Sequence, residues 1–418
     1  MVESFQDKEI NEKKMESRSY SLVFIGPPTS GKSTFATFIA ETLHLPVVNG
    51  ASIVDPEKKP TDGSLVPDDI FNESLGHRLE QEPPTGHIFD GVPRTPSQAK
   101  IVAEWSKKQG FPIHVINLEI SEEEVVDRTQ NREICPACAE SYHFKIKPSI
   151  NPGRCNTDNA ALIKRQDDNN EIIKKRLAIF NQEKAAVLEV LQSYGFQIHN
   201  IDSNGVIRNT NRKILEELSP LSFDDPQLTT KYFQLKDFCE SQGIDFMFIS
   251  GACGYIYRGR SPLKDLDVYV PTKDGMEIVA KSIGVPTESL ESSYAISQYL
   301  NYSSGVELVT DLSIKYTEDG QSKVINFPYQ RLDQDARIVR FFGENVKIMS
   351  PEWLIILKLC MGRSGQDDFG HNKNDYADAY DVTVSQPVDY DLVMSIAKEV
   401  GAEKRVVSGL EILRSSAD

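Results

Sequence analysis

The chain has 418 residues, 39% of them hydrophobic, with 46 Lys and Arg against 62 Asp and Glu, a formal net charge of −16. That length allows two or three domains, each burying its own core, which excludes a small disulfide-stapled scaffold. The acidic balance, shared by both halves, excludes a protein whose main task is coating nucleic acid.

Residues 1–18 show no apolar periodicity and are expected to form a solvated tail. They lack the apolar centre of an export signal, and no run in the chain approaches the ~20 apolar residues that span a bilayer. A cytoplasmic protein with no membrane partner is expected. Leu22, Val23, Phe24 and Ile25 form a continuous apolar run of buried-strand type, followed by a Gly/Pro/Ser loop and a helical stretch from Lys32 to Leu43. Further buried strands are predicted at His87 to Phe89, His114 to Leu118 and Gln197 to Ile201, separated by helices at Thr95 to Gln109 and Asn170 to Tyr194. Alternation of this kind implies an α/β domain over 19–218, with a parallel sheet covered by helices on both faces. The Pro-, Ser- and Asp-rich stretch 219–230 is predicted as a linker. A second α+β domain over 231–418 is expected, with strands at Phe246 to Ile249, Asp267 to Val270 and Val306 to Ile314 and a helix at Pro351 to Met361.

Gly26-Pro27-Pro28-Thr29-Ser30-Gly31-Lys32-Ser33 fits G-x-x-x-x-G-K-[ST], directly after an apolar strand and directly before a helix. The glycines let the backbone curl so that successive N–H groups face a phosphate, and the helix N-terminus adds partial positive charge. Lys32 then reaches the β- and γ-phosphates, Ser33 offers a hydroxyl to Mg²⁺, and Thr34 adds a further phosphate contact. In Phe89-Asp90-Gly91-Val92-Pro93-Arg94-Thr95 a strand ends on a carboxylate able to hold the waters of Mg²⁺, followed by an arginine able to clamp a second phosphate. Arg128 and Arg132 are four apart, and Arg165 and Arg176 eleven apart, so each pair is expected to share a helix face. Four such arginines beside a phosphate loop suit stabilisation of a transferring phosphoryl group.

Residues 20 to about 217 resemble adenylate kinase or a closely related nucleoside monophosphate kinase of the long type, through GPPTSGKST, LVPDDI, FDGVPRT-x-x-Q, DRTQNR and ALIKRQDDNNEIIKKRL. The resemblance implies a P-loop NTPase fold and reversible transfer of the ATP γ-phosphate to AMP or a similar monophosphate. It implies that Lys32, Arg94, Arg128, Arg132, Arg165 and Arg176 surround the phosphates, with Asp90 organising Mg²⁺. Nucleotide contacts would also come from Gly26, Thr29, Ser30, Gly31, Leu65, Val66, Gly91, Ser141 and Tyr142. Gln98 would read the acceptor base, and Asp167 and Asp168 would hold lid arginines. Small-molecule nucleotides are the implied partners, nucleic acid is not expected at the kinase half, and a monomer is expected.

Cys135-x2-Cys138-x16-Cys155-x2-Asp158 places two short knuckles within a lid at about 133–165. The spacing suits a tetrahedral, structural Zn²⁺, with aspartate in place of a fourth thiolate, and the adenylate kinase lid pattern tolerates aspartate there. Cys239, Cys253 and Cys360 stand singly in apolar contexts and are expected as buried small hydrophobes. The chain departs from the family where a Thr-Gly-Asp-x-x-Arg segment normally stands. Here the sequence reads Asn49-Gly50-Ala51-Ser52-Ile53-Val54, and 14 residues separate Gly50 from Leu65. The acceptor-side arginine is replaced by Val54 and the acceptor-binding segment is shortened. Losing one charge-assisted contact worth about 1.5–3 kcal/mol weakens acceptor binding by roughly one to two decades. The expectation is an acceptor other than free AMP, or a slow kinase.

In the second half, Gly251-Ala252-Cys253-Gly254 follows an apolar strand, and Arg260-Ser261-Pro262-Leu263-Lys264-Asp265-Leu266-Asp267-Val268 follows a short helical stretch. Asp265 and Asp267 alternate on one strand face and suit a hard divalent cation. Asp311 is the expected third ligand of a second Mg²⁺ site. The combination resembles nucleotidyltransferases of the DNA polymerase beta superfamily, which implies triphosphate contacts for Lys358 and Lys373. Two functions are compatible with the whole chain. One is a kinase fused to a metal-dependent nucleotidyltransferase; the other is a sensor whose shortened kinase half binds ATP and AMP without efficient turnover and controls the second domain.

Overall fold

The computed structural model describes residues 20–138, 140–149, 151–164, 170–223, 225–258, 263–284, 289–290, 298–300, 305–318, 320–361 and 373–415. The chain divides into two compact units, Met1–Glu217 and Leu218–Asp418.

The first unit is built on a parallel sheet of five strands in the order β2-β3-β1-β4-β7. These are β1 (Ser21–Ile25), β2 (Val47–Asn49), β3 (Ile88–Asp90), β4 (Ile113–Glu119) and β7 (Gln197–Asp202). Every residue of β1 is buried, as the unbroken apolar run predicts for a strand covered on both faces. Helix α1 (Lys32–Leu43) follows the phosphate loop, and α2 (Gly50–Ile53) and α3 (Asp68–Glu80) follow β2. The later helices are α4 (Pro96–Gln109), α5 (Glu122–Gln130), α6 (Asn170–Ser193) and α7 (Ile207–Ser222). Helix α4 shows why these boundaries are sharp. The Thr95 hydroxyl accepts the Gln98 N–H as N-cap, Pro96 opens the first turn, and Gly110 ends the helix in the left-handed conformation. The chain leaves β1 for β2 on one side and returns from β3 over β1 to β4 on the other. The carboxyl ends of β1, β3 and β4 therefore surround a crevice, the usual ligand position in open α/β sheets. A small antiparallel lid of β5 (Arg132–Ile134) and β6 (Ser141–His143) follows α5.

The second unit carries a mixed seven-stranded sheet in the order β10-β11-β12-β9-β8-β16-β15. Helix α8 (Leu228–Gln242) leads into β8 (Met247–Phe248), α9 (Ser250–Arg258), β9 (Leu266–Tyr269) and α10 (Lys273–Ile283). Then come β10 (Ser289–Leu290), β11 (Gln298–Leu300), β12 (Val306–Thr310) and a separate hairpin of β13 (Ser313–Glu318) and β14 (Gln321–Asn326). The chain continues through α11 (Tyr329–Asp335), β15 (Arg337–Phe341), β16 (Glu344–Ile348), α12 (Pro351–Cys360), α13 (Lys373–Ser385), α14 (Tyr390–Glu399) and α15 (Glu403–Ser415). All ten residues of α12 are buried, Glu352 and Lys358 among eight less polar neighbours, so this helix is the centre of the unit's core.

Two expectations change here. The 219–230 stretch is not an extended linker among its described residues: α7 runs to Ser222 and α8 begins at Leu228. The strand expected from Val306 to Ile314 is two strands, divided where Asp311 adopts φ 49° and turns the chain. Among the described residues no helix is long and apolar enough to cross a membrane.

Candidate functional site

The crevice of the first unit is a cleft of about 510 Å³ lined by the phosphate loop, the β3–α4 turn, the lid and α6. Its floor is the loop at the end of β1. Gly31 has φ +96°, and a Cβ there would stand 2.6 Å from the Phe35 ring; a Cβ on Gly26 would meet Ser30 Oγ at 2.6 Å. Glycine at these positions is therefore a steric requirement. Lys32 folds over the loop, its Nζ donating to the carbonyls of Gly26 and Pro27, each at 2.7 Å. Burial pushes the Lys32 ammonium down to about 7; the charges of Arg94 and Arg132 push the same way, against Asp90.

A polyphosphate beside Lys32 favours its charged form, so binding above pH 7 must take up a proton and binding well below pH 7 must not. The uptake attributable to Lys32 is expected to be about 0.9 proton at pH 8 and about 0.1 at pH 6. ATP titration calorimetry in buffers of different ionisation enthalpy, comparing wild type with Lys32→Met, checks this. A difference that does not vary with pH would refute it.

Asp90 ends β3 buried, 4% exposed. Its Oδ2 accepts from Asn49 Nδ2 at 3.3 Å, while Oδ1 has no hydrogen-bond partner among the described residues. A buried carboxylate oxygen left over at a phosphate cleft fits a hydrated Mg²⁺. Gly91 turns the chain at φ +70°, and Arg94 closes the turn by donating its Nε–H to Gly91 O at 2.8 Å. Gln98, only 2% exposed, accepts the Arg94 N–H at 2.8 Å and donates Nε2–H to Asp68 Oδ1 at 3.2 Å. The Asp68 carboxylate also receives the hydroxyls of Thr95 (2.9 Å) and Ser97 (2.6 Å). Half of the Gln98 amide is thus committed to holding Arg94, and Asp68 fixes which way the amide points.

The arginines separate into two groups. Arg94, Arg128, Arg132 and Arg176 all line the cleft with Lys32, but Arg128 is also tied to backbone. Arg128 is 4% exposed and makes its hydrogen bonds to Ser203 O (2.6 Å), Gly205 O (3.0 Å), Thr29 O (3.4 Å) and Glu124 (2.9 Å). It braces the phosphate loop against the turn after β7. The expected shared helix face of Arg128 and Arg132 is not formed, because α5 ends at Gln130 and Arg132 opens β5. Arg165, Asp167 and Asp168 lie outside the described residues. Leu65, Val66, Ser33, Thr34 and Ser141 line the cleft. Tyr142 also lines it, but its hydroxyl is 3.3 Å from Cys155 Sγ and accepts the Asn156 N–H at 2.9 Å, so that end braces the lid.

In the lid, one ligand atom from each of Cys135, Cys138, Cys155 and Asp158 lies within 4.8 Å of all the others. Cys138 and Cys155 sulfurs are 3.6 Å apart, and Cys135 Sγ is 3.2 Å from Asp158 Oδ2. A tetrahedron with Zn–S bonds of about 2.3 Å has sulfur–sulfur edges of about 3.8 Å, so the cluster fits that ion. Backbone N–H groups of Ala137, Cys138 and Thr157 point at the sulfurs at 3.4–3.5 Å, the polarity expected around thiolates. Cys239, Cys253 and Cys360 are buried, as their contexts predict.

In the second unit, Asp265 and Asp267 both face the start of α9. A Cβ on Gly251 would lie 2.8 Å from Asp267 Oδ2 and 3.9 Å from Asp265 Oδ1. Asp267 Oδ2 accepts the Ala252 N–H at 3.1 Å. The expected partner Asp311 is not beside them: it is exposed, in the turn after β12. The acid opposite Asp267 in the parallel register is Glu307, four residues and so about 13 Å back along the strand. Burial, a hydrogen bond to Glu307 and the Glu307 charge hold the Asp267 carboxyl well above the usual carboxylate range. Lys358, 4% exposed, is turned to Asp375 (3.5 Å) and Asp378 (2.9 Å); nothing is described of the Lys373 side chain. Glu307 is the acid within the apolar strand Val306–Thr310, but where that strand ends and what it pairs with were not legible in the sequence.

The family model for adenylate kinase matches residues 24–196. An adenylate kinase of Thermosipho africanus is 36% identical over 186 residues, covering 41% of this chain and 87% of that protein. Adenylate kinases of Acholeplasma laidlawii (33% over 211 residues, 47% and 97%) and Pyrococcus horikoshii (32% over 214 residues, 48% and 94%) are similar over nearly their whole lengths.

Proposed function

Through residues 24–196 the chain belongs to the adenylate kinase family, and from that premise we propose that its first unit transfers the ATP γ-phosphate to a nucleoside monophosphate, AMP being the first candidate. The observation that carries the reading is one cleft holding a curled phosphate loop, Lys32, Asp90 and the four arginines Arg94, Arg128, Arg132 and Arg176. An oxygen of the acceptor phosphate bonds to the γ-phosphorus while the bond from that phosphorus to the β–γ bridging oxygen breaks, leaving two nucleoside diphosphates. Little covalent work falls to the protein; its task is to hold two polyanions in line and spread their charge. Lys32 and Arg132 serve the donor side, and Arg94 and Arg176 the acceptor side. Asp90 and the Ser33 hydroxyl would hold Mg²⁺, which would supply charge neutralisation at the donor phosphates. Arg128 keeps the loop in place. Cys135, Cys138, Cys155 and Asp158 would hold a Zn²⁺ that stiffens the lid, and the closed lid would exclude water. Coupled-assay measurement of ADP from ATP with a panel of monophosphates tests this, with Lys32→Met as the blank; no acceptor giving ADP above the blank would end the proposal.

For the second unit, the pairing of Asp267 with Glu307 beside Gly251 favours a divalent-cation site of nucleotidyltransferase type, built from Asp265, Asp267 and Glu307. Two carboxylates forced together at a buried strand pair are relieved by a cation. Mn²⁺ titration of the nucleotide-free full chain, followed by electron paramagnetic resonance, is expected to show at least about tenfold weaker binding in Asp267→Asn. Equal Mn²⁺ binding in both would remove the site.

A further inference from the structure

We propose that Lys59 supplies the acceptor-side positive charge that this chain lacks at Val54; the inference rests on the kinase reading and names the group that binds the acceptor phosphate. Val54 is 3% exposed and packs in the main core with Phe71, Leu75 and Val92, so that position holds an apolar side chain. Five residues on, Lys59 reaches into the cleft beside Pro60, Gly63, Ser64 and Leu65. Its Nζ donates to the carbonyl of Ala51 on α2. Among the described residues no carboxylate pairs with it. Of the acids near it in sequence, Asp55 caps the short helical turn Pro56–Lys58, and Asp62 binds Lys175 Nζ at 2.6 Å.

Two features give Lys59 a fixed place. The loop that carries it is pinned to α6, with Lys175 Nζ also 2.8 Å from Ser64 Oγ. At Gly63, φ +84°, a Cβ would stand 2.9 Å from Ile172 Cγ2, so the loop lies flush against the helix. The second feature is the junction between α2 and the β3–α4 turn. A Cβ on Gly50 would be 2.6 Å from Gly91 O, and that same carbonyl receives the Arg94 Nε–H. Lys59 and Arg94 therefore both reach this junction, Lys59 through Ala51 and Arg94 through Gly91. A half-buried ammonium whose described partner is one neutral carbonyl keeps donors free for an anion. A phosphate set between an ammonium and a guanidinium is doubly charge-assisted. The shortened segment thus exchanges a helical arginine for a loop lysine, and the pinning to α6 sets that lysine in place before the acceptor arrives.

The test is steady-state kinetics with ATP and AMP on wild type, Lys59→Met and Lys59→Arg. Removing one charge-assisted phosphate contact is expected to raise the KM for AMP about ten- to a hundredfold in Lys59→Met. The KM for ATP should stay within about twofold, and Lys59→Arg should recover most of the loss. An unchanged KM for AMP overturns the assignment, as does an equal rise in both KM values, which would mean a general disturbance of the cleft. If the wild type forms no ADP, the kinase reading fails. Lys59 is then judged by calorimetric AMP binding, where equal affinity of wild type and Lys59→Met overturns it and a tenfold loss upholds it.

Discussion

Lys32→Met is expected to lower kcat for ADP formation by about three orders of magnitude, the cost of removing one preorganised charge from a transferring phosphoryl group. The geometry explains why no neighbour can substitute. Lys32 is the cation whose stem rises from within the loop itself, and its Nζ bonds to the Gly26 and Pro27 carbonyls place it over the phosphate cradle. Arg94 and Arg132 approach from the β3–α4 turn and the lid, and their repulsion helps to depress Lys32. Methionine has similar length and apolar volume, so α1 and its buried face of Phe35, Phe38 and Ile39 should keep their packing. Circular dichroism should be unchanged while turnover in the coupled assay collapses. A variant retaining more than about a tenth of wild-type kcat would contradict this role.

Cys135→Ser is expected to have the second largest effect: zinc falls from about one per chain to near zero by elemental analysis, and kcat falls roughly ten- to a hundredfold. The apolar cluster of the lid consists of Cys135, Tyr142 and Cys155, supported by Ala160 and Leu162. A cluster of that size is small against the ordering entropy of some thirty residues, and a metal on the four ligands would add folding free energy. Cys135 is the centre of the knot: it is fully buried, two backbone N–H groups point at its sulfur, and it faces Asp158. The main core around Val23, Phe89 and Val115 is a separate cluster, so the variant should stay folded outside the lid. The loss in kcat is expected through Arg132, the first residue of the lid hairpin and part of the cleft lining, whose place in the cleft a disordered lid would not hold. Wild-type protein without zinc, or a serine variant with full zinc, would refute the site.

Much of the first unit was legible from residues alone, because its signals are local. A continuous apolar run, a glycine-lysine loop and a helix are contiguous in sequence, and the loop's geometry is set by clashes within a few residues, such as Gly31 against Phe35. The cysteine knuckles are local in the same sense. Errors arose where a role depends on distant chain. Arg128 and Arg132 have helical spacing, yet the helix stops between them, and the carbonyls of Ser203 and Gly205, some 75 residues later, turn Arg128 into a brace. Gln98 lines the cleft, and its hydrogen bonds to Arg94 and Asp68 are likewise a product of the folded chain.

The second unit shows the same division more severely. Asp265 and Asp267 were found because alternation by two along one strand is a property of the strand itself. Their partner across the sheet was misassigned to Asp311, since parallel register is fixed by long-range packing and leaves no mark on either strand alone. The turn at Asp311 and the pairing of Glu307 with Asp267 belong to the folded chain.

By itself, then, the sequence determined a phosphate loop after a buried strand, a zinc-type cysteine set and an acidic strand. Each of these is written in spacings shorter than a single element. Tertiary structure alone decided which arginine braces the phosphate loop, which acid stands opposite Asp267, and that Lys59 lines the cleft while residue 54 is buried in the core. Those outcomes depend on which distant backbone a side chain meets, and burial, register and competition for hydrogen-bond partners settle them only when the chain has closed on itself.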